Sequence, residues 1–437
     1  MKKTLFVLIA LSSMVACTSR YDGEKTEVPH LYIDINKAEK HMDFSAFLDT
    51  SYYRIIPLET SPECLLGSKV RKVAIRKNRI YVWEEQSNGV FVFDENGKYI
   101  NKITDQGEGP REYLNIKNVS ISDSLISIFD SQGAKILYYD MDCNYISTHS
   151  LKDIRQSVYP VAQSFILGDK IYFGVFFRET FRTDKYGVPH KWVSMDLDLN
   201  KESVKRFLPY DYDCPTESDS HFSLQDNYYT AINDTVRFMV SNLDTIFVAT
   251  RDTIVPEYVI DFGDKAVPLH LYKSTYHEAK ESSEMENCID GVEYLYDTDD
   301  YLILNFRYGD YSMKEIMESL PVEIRENNDK RQEWLRKHRP TSEHHFILNK
   351  KTGETHLANG MNTEAFEHYP TNLRLVDGQY LITSNSMHIY SFDENEKHLP
   401  FKRPGNPRYE RALNEAYSTV TPMSNPVLHI YKFKDVE

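Results

Sequence analysis

Six polar residues stand at the edges of short apolar runs and are the first candidates for chemistry: Arg71, Asn118, Gln163, His221, Asn287 and Asn372. Gathered around a channel, one guanidinium, one imidazole and a set of carboxamides would form a ring of hydrogen-bond donors and acceptors. Such a ring suits recognition of a glycan, a peptide or a protein segment. A catalytic calcium or zinc ion asks for more, since several carboxylates or histidines must converge on it. His221 is the one strong metal ligand of the six, with Glu286 and His368 placed to join it. The composition of the set therefore predicts recognition, with no metal site, no cofactor and no identifiable catalytic group.

Other spacings point more to turns than to sites. Gly107-Glu108-Gly109-Pro110-Arg111-Glu112-Tyr113 has the glycines of a phosphate loop but neither the spacing nor the following helix that phosphate binding requires. It reads as a crossover turn, with Arg111, Glu112 and Tyr113 as candidates for a binding loop at a rim. Asp196-Leu197-Asp198-Leu199-Asn200 opens like a calcium loop, yet the glycine and glutamate positions that must follow are Lys201 and Phe207. Asp94-Glu95-Asn96-Gly97 is explained by turn chemistry, the aspartate accepting backbone N–H groups and the glycine supplying a positive φ. His338, His344 and His345 follow a segment of helical character beside Arg336, Lys337 and Arg339 and lack the HExxH arrangement; they are expected in a solvated basic stretch.

The elements that would position these residues announce themselves by repetition. Ile80-Tyr81-Val82 followed by Phe91-Val92-Phe93-Asp94 is a two-strand phrase that returns five times. It returns at 126–128 with 137–140, at 171–173 with 193–196 and at 236–238 with 246–248. Two further copies pair 302–304 with 346–349 and 381–383 with 389–393. The first copy extends to four strands, Val70 to Ile75, Arg79 to Trp83, Gly89 to Asp94 and Tyr99 to Ile103. Such a unit, at about 45 residues per repeat for the first three copies, cannot bury its own apolar faces and must pack on its neighbours. Six copies predict an all-β, six-bladed β-propeller of four-stranded antiparallel blades. Helical inserts are expected near 272–286 and 312–339, the second bounded by Pro340. Strands at 31–35, 53–58 and 427–433 flank the repeats, and are expected to close the ring.

The N-terminus is a targeting segment. Lys2 and Lys3 precede an apolar run from Leu5 to Leu11, too short to span a bilayer. Ala16-Cys17 resembles the end of a bacterial lipobox, which implies cleavage ahead of Cys17, lipid on its thiol and attachment to a membrane. Thr18 in place of an aspartate resembles the sorting pattern for the outer membrane. Residues 1–16 thus read as a signal peptide, 17–27 as a lipidated tether and 28–437 as the propeller, in the cell envelope with its side of the membrane unassigned. The net charge of -15 disfavours nucleic acid as a partner. Cys64, Cys143, Cys214 and Cys288 form no CxxC pair, and a domain of this size needs no disulfide staple, so mostly buried or free thiols are expected.

Tyr53-Arg54-Ile55-Ile56-Pro57-Leu58-Glu59-Thr60, the Gly107 to Tyr113 segment and Asn425-Pro426-Val427-Leu428-His429-Ile430-Tyr431-Lys432-Phe433 resemble motifs of the six-bladed β-propeller lipoproteins of gut Bacteroidetes. The likeness runs over the mature chain and departs at Arg111, where that family more often has glycine. It implies the same fold, in the style of NHL-type propellers, and a lipid-anchored binding or scaffolding role for a glycan, peptide or envelope protein. The alternative it implies is a metal-dependent lyase or hydrolase of the NHL or lactonase type, with calcium or zinc in the channel.

Overall fold

The computed structural model describes residues 28–67, 69–152, 154, 161–175, 190–209, 229–232, 235–239, 244–272, 282, 284, 288–289, 292–308, 317, 320–327, 330–331, 334, 343–359, 361–362, 375–377, 380–385, 407–421 and 423–435. Six four-stranded antiparallel sheets account for nearly all of its regular structure. Blade 1 comprises Val70–Arg76, Arg79–Glu84, Gly89–Asp94 and Tyr99–Ile103. Blade 2 comprises Ile116–Ile121, Ile126–Asp130, Lys135–Tyr139 and Tyr145–Ser150, and blade 3 Val161–Leu167, Lys170–Val175, His190–Asp196 and Lys205–Pro209. Blade 4 is built from Tyr229–Ile232, Thr235–Met239, Thr245–Ala249 and Ile254–Asp261, and blade 5 from Val292–Asp297, Tyr301–Arg307, Glu343–Asn349 and Thr355–Ala358. Blade 6 takes Leu375–Asp377 and Tyr380–Asn385 from the sixth repeat, then Val427–Phe433 from the C-terminus and Leu48–Pro57 from before the first repeat.

The second and third strands are apolar on both faces because each blade is sandwiched between two others. In blade 1, Tyr81, Trp83, Val90 and Val92 pack toward Ile116, Val119, Ile128 and Leu137 of blade 2. Ile80, Val82, Phe91 and Phe93, alternating with them, pack toward Ile382, Leu428 and Ile430 of blade 6. Comparable clusters fill the seams between blades 2 and 3, 3 and 4, 4 and 5, and 5 and 6. Six seams close the ring, and burial of these side chains, about 1.5–3 kcal/mol for each large one, is what holds it.

The aspartate-led turns behave as turn chemistry requires. Asp94 Oδ1 accepts the N–H groups of Asn96 and Lys98 at 2.8 and 2.9 Å, and Asp140 Oδ1 does the same for Asp142 and Asn144. Gly97 has φ +84°, and a Cβ there would strike the Pro57 carbonyl of blade 6 at 2.4 Å.

Four expectations need correction. Strand Tyr380–Asn385 pairs with Val427–Phe433, so the C-terminal strand occupies the place expected for 389–393, a segment outside the described residues. The strand expected at 31–35 is His30–Tyr32; it does not close the ring but runs parallel to Ile254–Asp261 as a fifth strand on the edge of blade 4. His344 and His345 are not solvated: they lie in Glu343–Asn349, 6% and 5% exposed, and His338 is outside the described residues. A helix at Pro407–Tyr417 was not expected, although Leu413 and Tyr417 sit at i, i+4 spacing and are buried. A helix at Leu269–Tyr272 ends where the first insert was expected to begin, and Val322–Arg325, entered at Pro321, is helical within the second; most of 272–286 and 312–339 lies outside the described residues.

Candidate functional site

Strand direction sorts the connections into two faces. First strands run from one face to the other, second strands return, and so on outward, so the links between second and third strands and between successive blades all emerge on one face. Those links include 58–69, 104–115, 151–160, 176–189, 210–228, 262–291, 308–342, 359–374 and 386–426. Among the described residues, the links within blades on the opposite face are tight turns such as 77–78, 95–98, 168–169 and 250–253, the longest being 197–204, and the segment 33–47 enters the outer strand of blade 6 from that face. That turn face is also stitched across seams by ion pairs: Arg79 with Asp142, Arg76 with Asp123, Arg251 with Asp169, Lys205 with Asp252 and Arg237 with Asp299. The Arg251 guanidinium, bonded to both carboxylate oxygens at 2.7 Å, holds the Asp169 carboxyl down at about 2. The pairs exposed on both sides add little stability singly.

On the loop face, the first strands of blades 1, 2, 3 and 5 enter their blades through a β-bulge. The register slips between Val70 and Lys72, Ile116 and Asn118, Val161 and Gln163, and Val292 and Tyr294. Bulges re-aim side chains at rims and beside sites. Here they turn a row of polar residues toward the following blade. Lys72 Nζ donates to the Val119 carbonyl at 3.1 Å, and Asn118 Oδ1 accepts from the Ser164 N–H and hydroxyl at 3.2 and 3.0 Å. Ser120 accepts the Ile166 N–H at 3.1 Å. Asn118 is thus engaged in joining inner strands. The bulge fixes Lys72, rather than Arg71, as its counterpart in blade 1, an assignment invisible without the register.

Arg71 instead reaches Glu85 on the loop face, at 2.5 and 2.7 Å, both side chains being partly exposed. Gln163 is buried, and its Oε1 has no hydrogen-bond partner among the described residues. Trp192 stands on the same rung beyond Gly174, and its Nε1 is likewise unpaired among the described residues. His221, Asn287 and Asn372, with Glu286 and His368, lie outside the described residues. Among the described residues no group of three His, Cys, Asp or Glu side chains is placed to hold a metal ion.

The rim segment is internally tied. Glu112 folds back so that its carboxylate accepts the Gly109 N–H at 2.9 Å, and a Cβ at Gly107 would meet that carboxylate at 2.0 Å. Tyr113 is buried, its hydroxyl lying 2.8 Å from the Asn88 carbonyl and 3.1 Å from that of Ile103. Burial drives that phenol far above its ordinary range. Arg111 lies over the Tyr145 ring at 5.0 Å. Lys135 and Thr148 of blade 2 bond the Gly109 and Pro110 carbonyls, fixing the turn from below.

Two carboxylates that sequence reasoning passed over organise this face. Glu84 and Asp130 close the second strands of blades 1 and 2 and are fully buried. Glu84 accepts from the Lys69, Gln86 and Ser87 N–H groups and the Ser87 hydroxyl; Asp130 accepts from the Leu114, Asn115, Gln132 and Gly133 N–H groups. Each binds its own turn and the incoming crossover together. Burial pushes the Glu84 carboxyl up, but the hydrogen bonds from Ser87, Gln86 and Gly67 outweigh it and hold it below the usual carboxylate range. The signal was there to find: an acid at the same place in consecutive repeats.

Near the C-terminus, Asn425 does comparable work. Its side chain donates to the Glu59 and Cys64 carbonyls at 2.6 and 2.8 Å and accepts the Leu66 N–H at 2.8 Å. Cys64, Cys143 and Cys288 are free thiols, and burial raises that of Cys143 to about 12; Cys214 lies outside the described residues. No helix among the described residues is long and apolar enough to cross a membrane.

Six blades closed by strands from both ends, with one face of turns and one of long links, define a six-bladed β-propeller. No curated protein matches the chain. Residues 31–432 match the family model described as a domain of unknown function, DUF4934, and the chain belongs to that family. A Bacteroides fragilis structure titled "putative exported protein" is 14% identical, with a TM-score of 0.60, covering 93% of this chain and all of its own. A Bacteroides vulgatus member of the DUF4221 family is 12% identical, with a TM-score of 0.45, covering 89% of this chain and 98% of its own.

Proposed function

We propose that this protein is a lipid-anchored binding or scaffolding module of the bacterial envelope, with a recognition surface on the loop face for a glycan, peptide or protein partner. The observation that carries the reading is that the links between second and third strands and between successive blades open on one face and include the long ones, while the links within blades on the other face are short turns joined by cross-seam ion pairs. Rigid scaffolds place recognition on such loops. The segment from Lys2 to Cys17 supplies export and anchoring, in keeping with the exported designation of the Bacteroides fragilis relative. Leu65, Leu114, Val322 and Met423 are exposed apolar residues on that face and suit a partner with apolar or sugar-ring surface.

The test is differential capture. Serine at Leu65, Val322 and Met423 together should abolish capture of envelope proteins or retention on glycan arrays. Serine at the turn-face residues Lys98 and Asn96 should leave both unchanged. Equal loss from the two faces would sink the reading. Stoichiometric calcium or zinc on the purified chain would favour channel-centred lyase or hydrolase chemistry instead.

A further inference from the structure

We infer that the outer edge of blade 4 is the edge of the propeller that rests against the lipid surface, an assignment that rests on the anchoring of Cys17 proposed above. The described chain begins there. His30–Tyr32 lies parallel to the last three residues of Ile254–Asp261, with the Val259 N–H donating to the Pro29 carbonyl at 2.9 Å. The outermost strand runs from the turn face to the loop face, so its parallel partner does too. Val28 and Pro29, at the turn-face end of that strand, therefore stand on the side wall of the ring. Residues 17–27 span at most about 40 Å even when fully extended. An anchor at Cys17 thus gives blade 4, where the chain joins the ring, the shortest reach to the bilayer, and blade 1, across the ring, the longest. Tethering raises the local concentration of lipid at that edge above all others.

The same edge carries side chains suited to the interface. Tyr32 is 60% exposed, on the added strand, and Val255 is 42% exposed, on the strand beside it. A tyrosine with its ring on an apolar boundary and its hydroxyl in water matches the headgroup region. The Tyr32 ring packs beside Gly263, where a Cβ would approach it to 3.0 Å, so it is held at the surface by the turn that follows the outer strand. Ile100 and Ile146 are similarly exposed on the outer strands of blades 1 and 2, but no tether attaches there. They serve as internal controls. Edge-on seating leaves the loop face open sideways to a partner.

Hydroxyl-radical footprinting of the full lipidated chain on phosphatidylethanolamine–phosphatidylglycerol vesicles, against the Cys17→Ala chain in solution, tests the assignment. A second sample carries a histidine tag at Thr18 in place of the lipid and is held on nickel-chelating vesicles. Modification of Tyr32 and Val255 should fall several-fold in both samples, while that of Ile100 and Ile146 stays unchanged. Tyr32→Ser with Val255→Ser should remain vesicle-bound but lose the protection that neighbouring His30 and Pro256 otherwise gain. Protection centred on blades 1 or 2, or spread evenly around the ring, would overturn the edge assignment. Absence of lipid on Cys17, read from the intact mass, would instead remove the anchoring proposal, with the tagged sample still deciding which edge faces lipid under tethering.

Discussion

His345 shows how much one buried side chain can reveal about this ring. It sits on the third strand of blade 5, its Nδ1 3.2 Å from the Asn305 carboxamide nitrogen. Burial, with His344 beside it in sequence, pushes its pKa down to about 4. In the unfolded chain the same imidazole takes its proton near its ordinary 6.5. Between those values the unfolded state binds more protons than the folded one, so this residue's contribution to stability is complete above pH 6.5. It is lost progressively as the pH falls toward 4, amounting to about 3 kcal/mol. Asp244 works the other way. Burial beside Asp261 raises its carboxyl to about 6, so its effect weakens stability as the pH rises from 3.8 to about 6. A bare pH–stability curve therefore mixes opposed effects, and the informative quantity is the difference between variants. His345→Gln keeps an acceptor for Asn305 without a titrating ring. Urea unfolding at pH 7 and pH 4 should show the variant gaining on the parent by about 3 kcal/mol across that interval. A constant difference would mean that His345 takes its proton in the folded chain near its ordinary 6.5, so that burial does not depress it.

At the scale of elements, the interior hairpins were legible because alternation on two buried faces leaves few readings besides a strand between two neighbours. Phe238 with Phe247 and Leu302 with Leu348 are examples, both in the expected pairs. What could not be read was register and long-range pairing. The β-bulge that makes Lys72 the counterpart of Asn118 depends on hydrogen bonding, which apolar periodicity does not encode. His344 and His345 looked solvated because basic residues precede them, yet strand alternation sets one against Phe306, stacked at 5.5 Å, and the other against Asn305. The C-terminal motif was recognised, but its chemistry emerges only in three dimensions: Asn425 pins the link between blades 6 and 1 from a place distant in sequence. Asn425→Ala removes three side-chain hydrogen bonds at once and leaves buried backbone groups unpaired, at a cost of about 2–4 kcal/mol. Limited proteolysis should then open the chain within 58–69 well before the rest of blade 1. Unchanged resistance there would show that the packing of Leu58 and Leu66 suffices without the clasp.

For the whole molecule, closure is the most consequential feature, because the ring is completed by the two segments farthest apart in the chain. Leu48 pairs with Phe433 and Pro57 with Val427, which inserts the C-terminal strand between Tyr380–Asn385 and Leu48–Pro57. The alternate side chains of that strand serve two seams: Val427, Tyr431 and Phe433 face blade 5, while Leu428 and Ile430 face blade 1. Tyr53 and Tyr417 hold His429 from its two ring nitrogens at 2.5 and 2.7 Å, so the Pro407–Tyr417 helix docks on the closing strand as well. Pairing so remote in sequence carries a large loop-closure cost before it yields any contact, and it should be the slow step of folding. Deleting 427–437 removes the centre of blade 6 and uncovers both seams together. Calorimetry should show the single cooperative transition replaced by a broad, weak one, with dye binding to exposed apolar surface. Deleting 28–32 removes only a three-residue edge strand and should leave that transition nearly unmoved. If both truncations melt like the full chain, the blades are stable one by one and closure serves something other than stability.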